Sequence, residues 1–194
     1  MSELKKSLRQ RALAHREQLD NVGRLMANDQ MQALLINVLQ SRVHCTVALY
    51  YPTRGEPDLL ALMKHRALQD TAWALPVCCD TATGSLLRFA QTFAAGPLVV
   101  GRYGIPVPAE LEWSIPDVIV VPCLGFHRSG YRLGYGGGWY DRTLSSLPNQ
   151  PLTIGIAFAA TEAQENFAEP HDRPLDMIIT EHETIRVNTT TGFQ

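Results

Sequence analysis

The order of helical and strand patterns along the chain predicts an α/β fold, a three-layer sandwich around a largely parallel sheet. Three segments, "DVIVVPCLGF", "LTIGIAF" and "DMIIT", are almost continuously apolar, which is typical of strands buried on both faces. Segments with helical periodicity alternate with the strand-like segments. The length of 194 residues suits a single domain with a sizeable core, so we expect residues 1–194 to form one unit.

Two helices are predicted before the first strand. Ser2 is placed to cap the first, and apolar residues recur at helical spacing from Leu4 to Ala12, which predicts a helix to about Leu19. Residues 26–39 predict the second helix. "VHCTVALYYP" is rich in β-branched and aromatic residues and stops at a proline, which predicts a strand ending near residue 51.

The middle of the chain predicts a helix, two short strands and a loop. "EPDLLALMKHRALQ" has helical periodicity, and Pro57 suits a first helical turn. "TAWALPV" and "LLRFAQ" predict strands on either side of the turn "DTATGS", and residues 96–108, rich in glycine and proline, predict a surface loop. A helix over about 138–147 and a helical turn over 161–166 separate the later strands. Residues 188–194 are predicted to be a frayed tail.

Composition excludes several classes of function. A hydrophobic fraction of 45% and a charged fraction of 19% are typical of a soluble globular protein. The net charge of -2 argues against a nucleic-acid partner held by a basic surface. No apolar run is long enough to span a membrane, and "MSELKKSLRQRALAHR" lacks the apolar core of a secretory signal. We therefore expect a cytoplasmic monomer that acts on small molecules.

The stretch "RLGYGGGWYDR", residues 132–142, is the strongest candidate for a binding site. It lies between a buried strand and a helix, and ligands of α/β sheets gather at the carboxyl ends of the strands. Glycines let backbone N–H groups approach an anion, a helix N-terminus favours negative charge, and Arg132 offers a forked cation. The alternative is a tight turn that requires positive φ angles. The stretch has neither the Gly-Lys-Ser/Thr of a Walker motif nor the spacing of a dinucleotide fold.

The longer segment "GFHRSGYRLGYGGGWYDRTL" resembles the signature of the 5-formyltetrahydrofolate cyclo-ligase (methenyltetrahydrofolate synthetase) family. "KKSLR", "YYPTRGEPD" and "HDRPLDMIIT" match the family in order and spacing, so the resemblance extends over nearly the whole chain. It implies an enzyme that uses Mg-ATP to close 5-formyltetrahydrofolate to 5,10-methenyltetrahydrofolate, with release of ADP and phosphate. The chain departs from the family pattern at His127, where an aspartate is usual, at Trp139, where a tyrosine is usual, and in "VPCLGF".

The resemblance also implies which residues bind each ligand. Lys5 and Arg9, one helical turn apart on one face, correspond to a phosphate-binding pair. Tyr51, Glu56 and Trp139 correspond to the folate pocket, and Asp141 and Asp172 correspond to acids associated with Mg²⁺. The residues assigned to ATP are Lys5, Arg9, Arg132, Leu133, Gly134, Tyr135, Gly136, Gly137, Gly138, Trp139 and Tyr140.

Two other functions stay open on the sequence. One is a phosphosugar or acyl-group enzyme on a related α/β fold, because a fold alone does not determine activity. The other is a non-catalytic paralogue that binds folate or nucleotide, which the replacement of the usual acid by His127 favours. The sequence carries no Ser-His or Cys-His signature of a protein nucleophile, and the cyclo-ligase reaction implied by the resemblance requires none.

Overall fold

The computed structural model describes residues 3–82, 84–169 and 172–187. Within these residues three α-helices form: α1 (Glu3–Gln18), α2 (Asn21–Leu39) and α3 (Trp139–Ser146). The strands of the same residues are β1 (Thr46–Ala48), β2 (Ala72–Thr81), β3 (Gly84–Thr92), β4 (Leu98–Val100), β5 (Pro106–Pro108), β6 (Trp113–Ser114), β7 (Val118–Pro122), β8 (Gly125–Phe126), β9 (Arg132–Leu133), β10 (Leu152–Ile156), β11 (Met177–Ile179) and β12 (Thr184–Arg186).

One eight-stranded sheet forms the centre of the protein, in the order β12-β11-β10-β7-β1-β2-β3-β6. The five strands from β11 to β2 are parallel to their neighbours. At the two ends of the sheet β12, β3 and β6 pair in the antiparallel direction. Strand β7 lies in the middle, and residues 118–121 are completely buried, as its continuous apolar sequence predicts.

Helices cover both faces of the sheet. On one face α2 packs Met31 and Leu35 into the cluster that contains Val118 and Val120. On the other face α3 and its neighbours pack against Ile119 and the other strand residues that point to that side. Helix α1 packs outside these two clusters, where Leu4 and Leu8 contact a small cluster of Leu133, Ala163 and Phe167. This arrangement confirms the predicted three-layer α/β sandwich with a largely parallel sheet.

Several local predictions were wrong. Residues 56–69 do not form an α-helix but two short 3-10 helices, Leu60–Lys64 and Arg66–Leu68, separated by His65 in an extended conformation. The predicted surface loop over 96–108 contains the β4–β5 hairpin. The helical turn predicted at 161–166 lies earlier, at Ala159–Thr161. Packing and hairpin pairing decide these segments, and neither is visible in local periodicity.

Two predictions concern parts of the chain outside the described residues, namely the cap at Ser2 and the frayed tail over 188–194. Among the residues that are described, no helix combines the length and the apolar character needed to cross a membrane.

Candidate active site

The candidate site lies at the carboxyl ends of the central parallel strands. The segment after β1 carries Tyr51 and Glu56, and the segment after β7 leads toward the glycine stretch. The sequence predicted that the glycine stretch directly follows the buried strand, and this prediction was wrong. The chain first forms the β8–β9 ribbon, in which Gly125 pairs with Leu133 and Phe126 with Arg132. The ribbon returns the chain to the sheet edge and positions the loop between β9 and α3.

The backbone of this loop requires glycine at two positions. Gly136 has a φ of 95° and Gly138 a φ of 64°, in the left-handed region where side chains are strained. Gly138 is also the N-cap residue of α3, and a Cβ there would lie 2.7 Å from Arg142 Nη1. Arg9 Nε donates to the Gly134 carbonyl at 2.8 Å, so α1 is fixed to the start of the loop. The start of the glycine loop is thus attached to α1 by this hydrogen bond.

Lys5 forms a compact cluster with two carboxylates. Its side chain is 8% exposed, and Nζ lies 2.8 Å from Asp172 Oδ2 and 3.1 Å from Glu169 Oε2. Burial opposes the charge of Lys5, but the hydrogen bonds to Asp172 and Glu169 outweigh it and raise the pKa of Lys5. Glu169 N also donates to Asp172 Oδ2 at 2.9 Å, which fixes that carboxylate. Lys5 and Asp172, assigned to ATP and to the metal from sequence, are therefore direct neighbours.

Arg132 and Asp141 form a second ion pair. Arg132 Nη2 lies 2.7 Å from Asp141 Oδ1, and the guanidinium carbon lies 5.5 Å from the centre of the Tyr140 ring. Arg132 Nε is buried and has no hydrogen-bond partner among the described residues. A buried N–H without an acceptor costs about 1–3 kcal/mol, so this donor favours an anionic or carbonyl acceptor from a ligand.

Arg16 forms the centre of a third, deeper cluster. The residue is 2% exposed; Nη1 donates to the Tyr135 hydroxyl and Nη2 to the Cys123 carbonyl, both at 2.8 Å. Nη1 also lies 4.0 Å from Glu56 Oε1. Burial raises the pKa of Glu56 above its ordinary value, and hydrogen bonds from Thr53 and the charge of Arg16 oppose that rise. Glu56 is thus a buried acid beside a buried cation, and it is not a solvated residue of a surface loop.

Trp139 lies among cationic side chains at the outer end of the loop. The guanidinium carbons of Arg102 and Arg142 lie 5.3 Å and 5.5 Å from the centre of its indole ring, and Tyr103 meets it edge to face at 6.2 Å. A groove of about 390 Å³ opens nearby, beside Asp141 and Arg142. The indole is half-buried, so one side of it remains available for contact.

His127 belongs to the turn of the β8–β9 ribbon. Its Nδ1 lies 2.6 Å from Ser129 Oγ, and its backbone N–H donates to the Tyr131 carbonyl at 2.9 Å. These contacts give His127 a role in the turn that connects β8 with β9.

The carboxylates assigned to the metal lie in separate ion pairs, Asp141 with Arg132 and Asp172 with Lys5. The described residues contain no group of three or more histidine, cysteine, aspartate or glutamate side chains that could hold a metal ion. Mg²⁺ usually takes one or two carboxylates and completes its shell with water and phosphate oxygens. The two aspartates therefore fit a metal that arrives with a nucleotide.

Sequence reasoning missed Arg16, Glu169 and Arg102. A signal for Arg16 was present, because it follows Arg9 by seven residues and Lys5 by eleven, and these spacings keep all three on one helix face. No such signal exists for Glu169 or Arg102. Each reaches the site through a contact between segments far apart in the chain.

The fold and the site together define an α/β protein whose glycine loop, cations and carboxylates meet at the carboxyl ends of the central strands. A model of the 5-formyltetrahydrofolate cyclo-ligase family matches residues 1–181. The chain belongs to the 5-formyltetrahydrofolate cyclo-ligase family, as the resemblance of its glycine motif predicted.

Individual relatives agree with this assignment. A 5-formyltetrahydrofolate cyclo-ligase of Mycolicibacterium smegmatis is 34% identical over 142 residues, which cover 70% of this chain and 73% of that protein. One of Haemophilus influenzae is 30% identical over 146 residues, covering 72% of this chain and 78% of that protein. The NMR structure of a 5,10-methenyltetrahydrofolate synthetase of Aquifex aeolicus superposes with a TM-score of 0.76 at 29% identity, covering 98% of this chain and 96% of that one.

Proposed function

We propose that this chain catalyses the ATP-dependent cyclisation of 5-formyltetrahydrofolate to 5,10-methenyltetrahydrofolate, the reaction of its family, and releases ADP and phosphate. The observation that carries the proposal is the position of the glycine loop. On one side the loop is fixed to the cationic helix α1 through Arg9, and on the other its Tyr135 reaches the buried carboxylate of Glu56. A site for phosphates and a site for a planar heterocycle therefore share one loop.

In this reaction ATP is a substrate. The formyl oxygen on N5 attacks the γ-phosphorus and ADP leaves, which gives a phosphorylated imidate. N10 then adds to the imidate carbon, a proton is lost from N10, and the C–O bond breaks so that phosphate leaves and the five-membered ring closes. No protein nucleophile takes part, so the protein contributes positioning and charge stabilisation.

The phosphates are bound by the cations and the loop backbone. Lys5 and Arg9 reach them from α1, and Arg132 reaches them from β9 with the Nε–H that has no partner among the described residues. Positive charge at the transferred phosphoryl group stabilises its transition state. The loop residues assigned with them are Leu133, Gly134, Tyr135, Gly136, Gly137, Gly138, Trp139 and Tyr140.

The folate is bound by the segment after β1 and by the start of α3. Glu56 accepts N–H groups of the pterin, and Tyr51 and Trp139 pack against its rings. Both aromatic side chains are half-buried, and Glu56 is 7% exposed, which fits a pocket that excludes most water. A heterocycle with several N–H donors requires such acceptors, because each donor left unpaired in a buried site costs about 1–3 kcal/mol.

Asp141 and Asp172 hold Mg²⁺ together with the nucleotide phosphates. When bound, the metal neutralises charge on the phosphates and orients them for transfer. Each aspartate has a cationic neighbour that is assigned to the phosphates, Asp172 with Lys5 and Asp141 with Arg132, and these ion pairs support the assignment. The protein is proposed to work as a cytoplasmic monomer on small molecules, and its net charge of -2 argues against a nucleic-acid partner.

A direct assay tests this function. The purified chain is mixed with Mg-ATP and 5-formyltetrahydrofolate, and the near-ultraviolet absorbance of the methenyl product is followed. Growth of that absorbance in the presence of ATP, and none without ATP, is the expected result. Tight folate binding without product would identify a binding protein instead, and absence of folate affinity would favour a phosphosugar or acyl-group enzyme.

A further inference from the structure

We propose that Arg16 is a positioning residue. It holds the Tyr135 hydroxyl of the glycine loop and the carboxylate of Glu56, the residue assigned to folate binding, in one arrangement. This inference rests on the proposed function only for the identity of the ligands. Arg16 itself does not touch a substrate, because its side chain is completely enclosed and 2% exposed.

The hydrogen bonds of Arg16 lead from one segment to the other. Its Nη1 donates to the Tyr135 hydroxyl at 2.8 Å and lies 4.0 Å from Glu56 Oε1, so the same nitrogen faces both groups. Nη2 holds the Cys123 carbonyl directly after β7. One guanidinium group is therefore connected to the ends of two central strands and to the glycine loop.

The two oxygens of Glu56 have different surroundings. Oε2 accepts hydrogen bonds from Thr53 N at 2.8 Å and from Thr53 Oγ1 at 3.1 Å, so its own turn satisfies it. Oε1 faces Arg16 at 4.0 Å. At that distance the guanidinium attracts the carboxylate without occupying the acceptor fully. Oε2 is therefore fixed by its own turn, whereas Oε1 is the oxygen that faces the guanidinium of Arg16.

A second arginine fixes this geometry from outside. Arg24 of α2 donates through Nη2 to the Arg16 carbonyl at 2.6 Å and through Nη1 to the Gly55 carbonyl at 2.9 Å. It thereby ties the end of α1 to the residue immediately before Glu56. The backbone positions of Arg16 and Glu56 are thus coupled independently of their side chains, so replacing the Arg16 side chain tests its charge and hydrogen bonds rather than the path of the chain.

Other charged groups lie near Glu56 besides Arg16. The titratable and charged side chains around this cluster come from α1, α2, α3, the strand ends, the turn before Glu56 and the glycine loop, and are Arg16, Arg24, Tyr50, Arg54, Cys123, Arg132, Tyr135 and Tyr140.

Burial raises the pKa of Tyr50 and Tyr140, and it raises the pKa of Cys123 to about 12, so these groups are neutral near pH 7. Arg132 already pairs with Asp141.

Arg24 holds the Arg16 and Gly55 carbonyls, and Arg54 lies over the Tyr135 ring. Arg16 is the arginine that lies within ion-pair distance of the Glu56 carboxylate, and its charge opposes the rise of the pKa of Glu56. Without it, burial of an acid favours the protonated form, which has lost one acceptor site.

The test compares Arg16→Met and Arg16→Lys with Arg11→Met, a change at an exposed arginine on the same helix. The first readout needs no ligand. The pKa of Glu56 is followed by carbon NMR on protein labelled at glutamate, with Glu56→Gln to assign the signal. We expect the pKa of Glu56 to rise in Arg16→Met, to rise less in Arg16→Lys, and to stay unchanged in Arg11→Met.

The second readout is kinetic. Arg16→Met should raise the KM for 5-formyltetrahydrofolate roughly tenfold or more, since a charged hydrogen-bond acceptor is lost. It should also move the acid limb of the kcat/KM profile to higher pH, while Arg16→Lys partly restores both. A merely structural role would lower the thermal midpoint and leave the folate KM and the acid limb as in Arg11→Met.

A folded Arg16→Met protein whose Glu56 titrates as in Arg11→Met would overturn the proposal. If Arg16→Met does not fold, Arg16→Lys decides: an unchanged Glu56 titration and folate KM in that variant would overturn the proposal equally. A wild-type protein that makes no methenyl product would refute the proposed function but not this inference, because the Glu56 titration is measured without substrate.

Discussion

Helix α1 carries two buried cations to the candidate site, and their surroundings differ. Lys5, in the first turns, lies between Asp172 and Glu169 at 2.8 Å and 3.1 Å, so two acids face one cation. Arg16, in the last turn, lies 4.0 Å from one acid, Glu56, and makes its close contacts with neutral oxygens. Among the described residues, one end of the helix thus brings a cation between two carboxylates, and the other brings a cation to one carboxylate and two neutral oxygens.

We expect the two cations to behave differently when ligands bind. Lys5 is expected to change its partners, and Arg16 is expected to keep them. At Lys5 we expect an incoming phosphate to replace one carboxylate, which would then hold a metal ion beside the phosphate. At Arg16 the planar guanidinium donates to the Tyr135 hydroxyl and the Cys123 carbonyl, both at 2.8 Å, so we expect it to keep its position while ligands bind. The Lys5 end is therefore expected to govern phosphate transfer, and the Arg16 end to govern substrate recognition.

The strongest test of this division is Lys5→Ala. We expect turnover to fall by about 10²–10³, the cost typical of removing one group that stabilises charge in a transition state. The matched control is Lys6→Ala, because Lys6 is exposed and lies 3.8 Å from Glu3 at the helix surface. Steady-state kinetics with varied ATP and folate measure both. If folate affinity collapses in Lys5→Ala while ATP use stays normal, Lys5 serves the other ligand.

The next effect concerns magnesium. Asp141→Asn and Asp172→Asn should each raise the magnesium concentration required for half-maximal activity by roughly tenfold or more, with partial recovery at high magnesium. Asp176→Asn is the control, because Asp176 Oδ2 accepts from Thr153 N and Oγ1 at 2.8 Å and 2.7 Å and holds two strands together. That variant should lower the thermal midpoint without changing the magnesium requirement. An unchanged requirement in both aspartate variants would remove the metal assignment.

A smaller effect is expected at the loop between the two clusters. Gly136→Val places a branched side chain at a φ of 95°, which is strained, in a loop whose N–H groups are proposed to face phosphate. We expect the apparent KM for ATP to rise about tenfold while the fold survives. Gly84→Val, at a φ of 126° in the β2–β3 hairpin, introduces comparable strain outside the loop. Normal ATP dependence in Gly136→Val would show that the stretch is a turn without a role in binding.

How far the sequence could predict the molecule follows from the range of the interactions. Strand β7 was predicted because burial on both faces leaves a continuous apolar sequence. Lys5 and Arg9 were recognised through the family motif, which is local. The Lys5–Glu169 and Arg16–Glu56 contacts join segments 164 and 40 positions apart, and no local pattern encodes such a pair. The 3-10 geometry of Leu60–Lys64 is likewise decided by packing.

The smallest expected effect is on the pH dependence of stability, to which Lys5 and Glu56 contribute differently. The pKa values of Lys5 and Glu56 are both raised, with opposite consequences. For Lys5 the fold favours the charged form, so its contribution to stability is present at neutral pH and is lost only as the pH rises through its folded pKa. For Glu56 the fold disfavours the charged form, so stability is fullest below the ordinary glutamate pKa of about 4.3 and declines as the pH rises through the folded value.

Glu56→Gln removes that decline, because the amide is neutral at every pH and can still accept the hydrogen bonds of Thr53. Its thermal midpoint should match the wild type near pH 4 and exceed it by a few degrees, about 2–4 °C for each kcal/mol in a chain of this size, at pH 7–8. Thermal melts at constant ionic strength across this range measure the difference. If the thermal midpoint of the wild type instead rises above that of Glu56→Gln as the pH increases, Arg16 and Thr53 more than compensate for the burial of the carboxylate. The Arg16 cluster would then stabilise the charge of Glu56 as strongly as the Lys5 cluster stabilises the charge of Lys5.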